Sequence, residues 1–247
     1  MNKRIGLMAE KNMYDLAQNP YPGRGIVMGM DETGKYAIQV YWIMGRSENS
    51  RNRVFGVDGT RLFTETADPS KVKDPSLIIY NAMCDTHRYF VVSNGSQTDV
   101  VTSGLSAGNT FQGSLRGSKY EPDAPNFTPR ITGICSLDLL DRQSPFFGLD
   151  IIRKSPWDDE SCDRFFYRYD TIEKGFGYCI TTYTGDGDPL PSFRGEPLLM
   201  PLVGDIDAVL DTYWKALNEE NRVALAVKFI LLQGTSWIKV KNKFTKV

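Results

Sequence analysis

The chain has 247 residues, 24% of them charged and 41% hydrophobic, with a formal net charge of −1. This length is ample for a packed core, while the near-even charge balance argues against a nucleic-acid coat or an acidic membrane as partner, so any anion binding must be local. Four widely spaced cysteines without a CxxC pair and a single histidine, His87, make a zinc centre improbable; with no apolar run of membrane length, a soluble cytoplasmic protein with reduced thiols is expected.

Residues 7–18 have the pattern of a short helix, stopped by Asn19-Pro20-Tyr21-Pro22-Gly23. Strands are predicted over 25–30 and 35–44 around Asp31-Glu32-Thr33-Gly34, and over 54–57 and 60–64 around Asp58-Gly59. A third hairpin is predicted over 76–83 and 88–93 around Asp85 and Thr86. Between 97 and 119, Gly104, Gly108, Gly113 and Gly117 interrupt one or two expected helices. Strand patterns resume over 130–137, 146–153, 165–169 and 178–183. Asp205 then caps a helix whose apolar face is Ile206, Val209, Leu210, Tyr213, Trp214 and Leu217, and 223–232 and 237–240 read as closing strands. Many antiparallel strands with helices in two separate blocks predict an α+β domain in which helices cover two packed sheets. The chain shows no internal repeat and no low-complexity segment, so one domain over 1–247 is expected.

Five stretches have compositions that a packed core does not demand. Arg46, Arg51 and Arg53 follow the second strand, interleaved with Ser47, Asn49, Ser50 and Asn52. Arg24 sits at a tight turn just before a strand, and the strand ending at Ser93 runs into Asn94-Gly95-Ser96-Gln97-Thr98-Asp99, with Gly95 free to adopt positive φ. Tyr120 to Arg130 combines carboxylates, Asn126 and Arg130 with three prolines, and Thr181 to Gly195 forms a long polar loop. Each also has a plainer reading as a turn, a helix cap or a surface ion pair. His87 falls in a predicted turn, where a polar residue needs no chemistry.

Taken in order, Tyr21-Pro22-Gly23-Arg24, Gly45-Arg46-Ser47 with Asn52-Arg53, Asp74-Pro75 with Tyr80-Asn81, Val91-Val92-Ser93-Asn94-Gly95-Ser96 with Thr98-Asp99, and Tyr120-Glu121 with Asn126, Thr128, Pro129 and Arg130 resemble the archaeal-type IMP cyclohydrolase family. The resemblance covers roughly residues 20–135. It makes 1–18 an N-terminal extension and 138–247 a more divergent second half, in which the 181–197 loop looks like a bacterial branch. Gln97 stands where that family usually carries histidine, and the longer arginine segment leaves its family position open between Arg51 and Arg53.

The resemblance implies a four-layer αββα sandwich like that of the N-terminal-nucleophile hydrolases, without the terminal nucleophile. It also implies ring closure of 5-formamidoimidazole-4-carboxamide ribotide to IMP, needing neither metal nor cofactor. On that reading Arg24, Arg46 and Arg53, with Arg51 as a substitute, divide the 5′-phosphate and the developing oxyanion between them. Tyr80 is the expected proton donor and Glu121 the expected base. Asn81, Asn94, Ser96 and Asn126 would recognise the carboxamide, ribose or phosphate, with Asp99, Thr128 and Arg130 completing the substrate-binding set. Tyr183, Asp186 and Arg194 are candidates from the second half. Two alternatives are an amide hydrolase with an internal serine or cysteine, which the shortage of histidine disfavours, and a purine-nucleotide-binding protein without turnover. Nucleic acid ranks last, since Lys239, Lys241, Lys243 and Lys246 form a short tail rather than a groove. Sandwiches with open sheet edges often assemble, so a homo-oligomer is compatible with this reading.

Overall fold

The computed structural model describes residues 3–72, 78–137 and 146–246. Asp74-Pro75 and the beginning of the expected 76–83 strand lie outside them. Two fully antiparallel sheets make up the centre. One contains β1 (Gly25–Met30), β2 (Tyr36–Met44), β10 (Phe176–Thr181), β11 (Leu198–Pro201), β12 (Arg222–Leu231) and β13 (Ser236–Asn242), in the order β11-β10-β1-β2-β12-β13. The other is a meander in chain order: β3 (Val54–Asp58), β4 (Arg61–Glu65), β5 (Asn81–Thr86), β6 (Tyr89–Ser93), β7 (Arg130–Ser136), β8 (Phe146–Lys154) and β9 (Cys162–Tyr169).

Both faces of β2 are buried. Tyr41 and Ile43 point between the sheets, while Val40, Trp42 and Met44 point away from them. Those outward residues pack under α1 (Lys3–Gln18) and α5 (Ile206–Ala216). The outer face of the second sheet is covered by α3 (Gln97–Ser106) and α4 (Phe111–Leu115) through Val101, Leu105, Phe111 and Leu115. The result is the expected four-layer αββα sandwich. α5 is the helix read from the sequence: Asp205 accepts from Ala208 N at 2.9 Å, and all six residues of its predicted apolar face are buried. Each such side chain contributes roughly 1.5–3 kcal/mol by leaving water.

The differences from expectation are local. The third hairpin begins at Asn81 and continues to Thr86, because Ile78 to Tyr80 enter without strand pairing. The short helix α2 (Glu48–Arg51), which Ser47 and Ser50 stabilise by a reciprocal capping box, was not legible as a helix. Nor was β11. No helix among the described residues is long and apolar enough to cross a membrane.

The register brings the polar stretches together. Gly25 pairs with both Trp42 and Thr181, so the entry to β1 and the exits of β2 and β10 share one end of the first sheet. Ser93 pairs with Thr132, which places the exit of β6 beside the entry to β7.

Candidate active site

Where these loops meet lies a cavity of about 350 Å³, within the range of small-molecule sites. Arg24 enters from the β1 approach. Gly23, at φ 75°, makes the tight turn that precedes it, and the Arg24 backbone pairs with Thr182 (Arg24 N to Thr182 Oγ1 at 3.1 Å). Arg24 Nη2 lies 3.4 Å from Glu121 Oε2, and Arg130 Nη1 lies 3.1 Å from Glu121 Oε1. Burial raises the Glu121 carboxyl above its ordinary range, and Arg24 and Arg130 oppose that rise. The Arg24 Nε is buried without a hydrogen-bond partner.

Asn94 holds Glu121 from behind. Its Nδ2 reaches Pro129 O at 2.9 Å and Glu121 Oε1 at 3.4 Å, while its Oδ1 accepts from Ile131 N and from Gln97 Nε2, both at 2.9 Å. Asn94 and the Gln97 amide nitrogen are therefore committed to protein partners, while Gln97 Oε1 is buried without one. Gly95 is needed for a different reason from the expected positive φ: a Cβ there would lie 1.6 Å from Arg130 Nη1. The missing side chain lets the guanidinium reach Glu121.

The three arginines after β2 separate sharply. Arg53 is 2% exposed and lines the cavity, with Nε on Ser50 O at 2.8 Å and Nη2 on Met44 O at 3.2 Å. It pairs with no carboxylate among the described residues. Burial and then the neighbouring Arg24 charge lower its pKa. Arg46 stands at the mouth, its guanidinium 5.0 Å above the Tyr21 ring and bonded to Asp186 and, at 3.0 Å, to Gly187 O. Arg51 points elsewhere, to Gly45 O at 2.9 Å and Asn221 Oδ1 at 3.1 Å, and ties α2 to the turn before β12.

Tyr80 and Tyr41 meet behind the arginines with their hydroxyls 2.7 Å apart. Tyr80 is 7% exposed and packs between the sheets, with Arg24 and Arg53 as its charged neighbours. Burial and then Tyr80 raise the pKa of Tyr41, so Tyr41 keeps its proton. On the opposite wall Tyr183 stacks on Tyr21, ring centroids 6.0 Å apart, and bonds to the Thr128 hydroxyl. Asn126 lines the cavity and accepts from Leu190 N at 3.0 Å, which pins the long loop after β10.

Asn81 and Asp99 bond to each other at 2.9 Å and line a separate groove on the outer side of β5. Ser96 is exposed at the start of α3 and makes no side-chain cap bond. Arg194 is exposed and lines two other clefts. Sequence reasoning missed Tyr41, which reads as core, and Asp123, which sits within the quoted Tyr120–Arg130 stretch. His87 is exposed in its turn at φ 49°.

A four-layer sandwich with an arginine-rich, partly apolar cavity at one end defines a small-molecule site suited to an anionic ligand. The sequence profile of the IMP cyclohydrolase-like protein family matches residues 21–234, and the chain belongs to that family. Comparison with curated proteins gives no match.

Proposed function

We propose that this protein closes the second purine ring, converting 5-formamidoimidazole-4-carboxamide ribotide to IMP with loss of water. The observation that carries the reading is Arg53: a buried guanidinium with no carboxylate partner among the described residues, beside Arg24, Glu121 and a phenol pair. A buried charge without compensation is unfavourable in the free protein, and such an arrangement is useful where negative charge develops during reaction.

An amide nitrogen is a poor nucleophile and a formamide a poor electrophile, so the reaction depends on positioning, oxyanion stabilisation and proton transfer. In the proposed sequence Glu121 takes one carboxamide proton as the nitrogen bonds to the formyl carbon. Arg24 and Arg53 stabilise the negative charge growing on the formyl oxygen, and Tyr80 protonates it. Protonated Glu121 then gives its proton to that hydroxyl, which leaves as water, while the formamide N–H proton returns to the Tyr80 phenolate. Every group ends as it began. The mouth, with Arg46 beside Asn49 and Ser50, suits the 5′-phosphate, which guanidinium forks recognise in pairs of oxygens. Ser47 and Ser50, the serines on the wall, are engaged in the α2 capping box, which gives an amide-hydrolase reading no support.

Purified protein given the formylated ribotide is expected to produce IMP, followed by ultraviolet absorbance and chromatography, faster than the uncatalysed mixture. Ribotide binding without IMP would instead support a nucleotide-binding protein without turnover.

A further inference from the structure

Asp123, Thr128 and Tyr183 form a hydrogen-bonded chain that ends on the cavity wall. Asp123 Oδ1 accepts from Thr128 N at 2.7 Å, its Oδ2 accepts from the Thr128 hydroxyl, and that hydroxyl is bonded to the Tyr183 hydroxyl. Thr128 is fully buried and Tyr183 is 2% exposed. Tyr183 and Asp123 both line the cavity. Burial pushes the Tyr183 phenol up to about 12, so it keeps its proton near neutral pH.

The chain has a fixed polarity. An ionised carboxylate only accepts, and a hydroxyl has one proton to donate. Thr128 gives its proton to Asp123, so the proton between Thr128 and Tyr183 must belong to Tyr183. The phenol is left with lone pairs and no proton to offer the cavity. Among the described residues no other hydrogen bond engages the Tyr183 hydroxyl.

We infer that the Asp123–Thr128 pair sets Tyr183 as an acceptor that selects ligands presenting an N–H at that point of the cavity. The inference rests on the ring-closure reading, and there it gives the N–H an identity. The carboxamide nitrogen surrenders one proton to Glu121 and keeps the other, which becomes N1–H of IMP. Tyr183 would hold the retained N–H and so orient the nitrogen while the other proton leaves.

The test is equilibrium binding of IMP, which carries N1–H, and of purine ribotide, which presents a bare lone pair at N1. Wild type should prefer IMP by about tenfold or more, since the mismatch sets two acceptors against each other. Asp123→Asn nearly preserves shape but reverses the chain. The amide oxygen keeps Thr128 N–H, the amide NH₂ donates to the Thr128 hydroxyl, Thr128 donates to Tyr183, and the phenol proton is freed toward the ligand. The IMP preference should fall at least about tenfold in Asp123→Asn, and it should shrink similarly in Tyr183→Phe, where the acceptor is gone. Comparing ratios between variants cancels the other differences between the two ligands. An unchanged ratio in whichever of these variants folds, as judged by thermal melting, overturns the polarity assignment while leaving nucleotide binding intact. If neither ribotide binds the wild type, the ring-closure reading falls together with the inference.

Discussion

The hydroxyls of Tyr41 and Tyr80 lie 2.7 Å apart between the two sheets, one from the middle of a strand buried on both faces and the other from the approach to β5. Burial and the neighbouring phenol keep the proton on Tyr41. In the proposed step Tyr41 therefore donates to Tyr80 and stabilises the phenolate left when Tyr80 gives up its proton. In that proposal Tyr41 is a positioning residue and Tyr80 the acid.

Replacing Tyr80 by Phe should lower kcat about 100-fold, the usual scale for removing a positioned acid, with IMP affinity within about threefold of wild type. Tyr41→Phe should lower kcat about tenfold, with KM little changed. Steady-state kinetics on folded variants checks both. A rise in KM with kcat intact would place the pair in ground-state binding instead.

The three arginines after β2 should give three different phenotypes. Arg53→Met should reduce kcat at least about 100-fold by removing an oxyanion donor. Arg46→Ala should mainly raise KM, because the phosphate contact proposed for it at the mouth would be lost. Arg51→Met should leave kinetics near normal but lower stability by about 1–2 kcal/mol, through the lost bonds to Gly45 and Asn221. Kinetics together with denaturant melts separates the three.

Glu121 offers a prediction in pH. Arg130 holds its carboxyl down against the opposing effect of burial, so Arg130→Gln should let the pKa rise. A base must be deprotonated to act, so the acidic limb of the kcat/KM profile should move to higher pH in that variant. An unmoved limb would show that Glu121 is not the group titrating there.

Away from the cavity, Asp150 on β8 is buried with neither carboxyl oxygen hydrogen-bonded, and burial raises its pKa to about 8. The unfolded value is about 4. The folded state therefore retains a proton that the unfolded chain releases. Stability tied to that proton is whole below about pH 4 and declines by about 1.4 kcal/mol per pH unit until the folded pKa is passed. Asp150→Asn should gain on wild type between pH 5 and pH 8 when unfolding by urea is compared. A constant difference across that range would contradict the assignment.

Much of this arrangement was legible in the sequence because strand period and cap chemistry are local. The α5 face and cap and most of the hairpins follow from residue order alone. The site was legible as a set of loops but not as a geometry. Arg46, Arg51 and Arg53 are chemically alike, and the short turn of α2 decides which guanidinium goes inward. Tyr41 was hidden because β2 is apolar on both faces, so nothing in its alternation marks the phenol. Asn81 could have been excluded by strand period, since the residue beside an inward Tyr80 points outward. In sequence Gly95 reads as turn flexibility, whereas its use is to let Arg130 pass, a contact between segments far apart in the chain.

The most direct measurement is a single-turnover assay in which excess wild-type protein and Glu121→Gln are each mixed with the formylated ribotide and IMP is quantified over time. Wild type should convert bound ribotide to IMP, and Glu121→Gln should bind it yet form IMP at least about 100-fold more slowly. Equal rates in the two proteins, or ribotide that stays unconverted on the wild type, would contradict ring closure at this cavity.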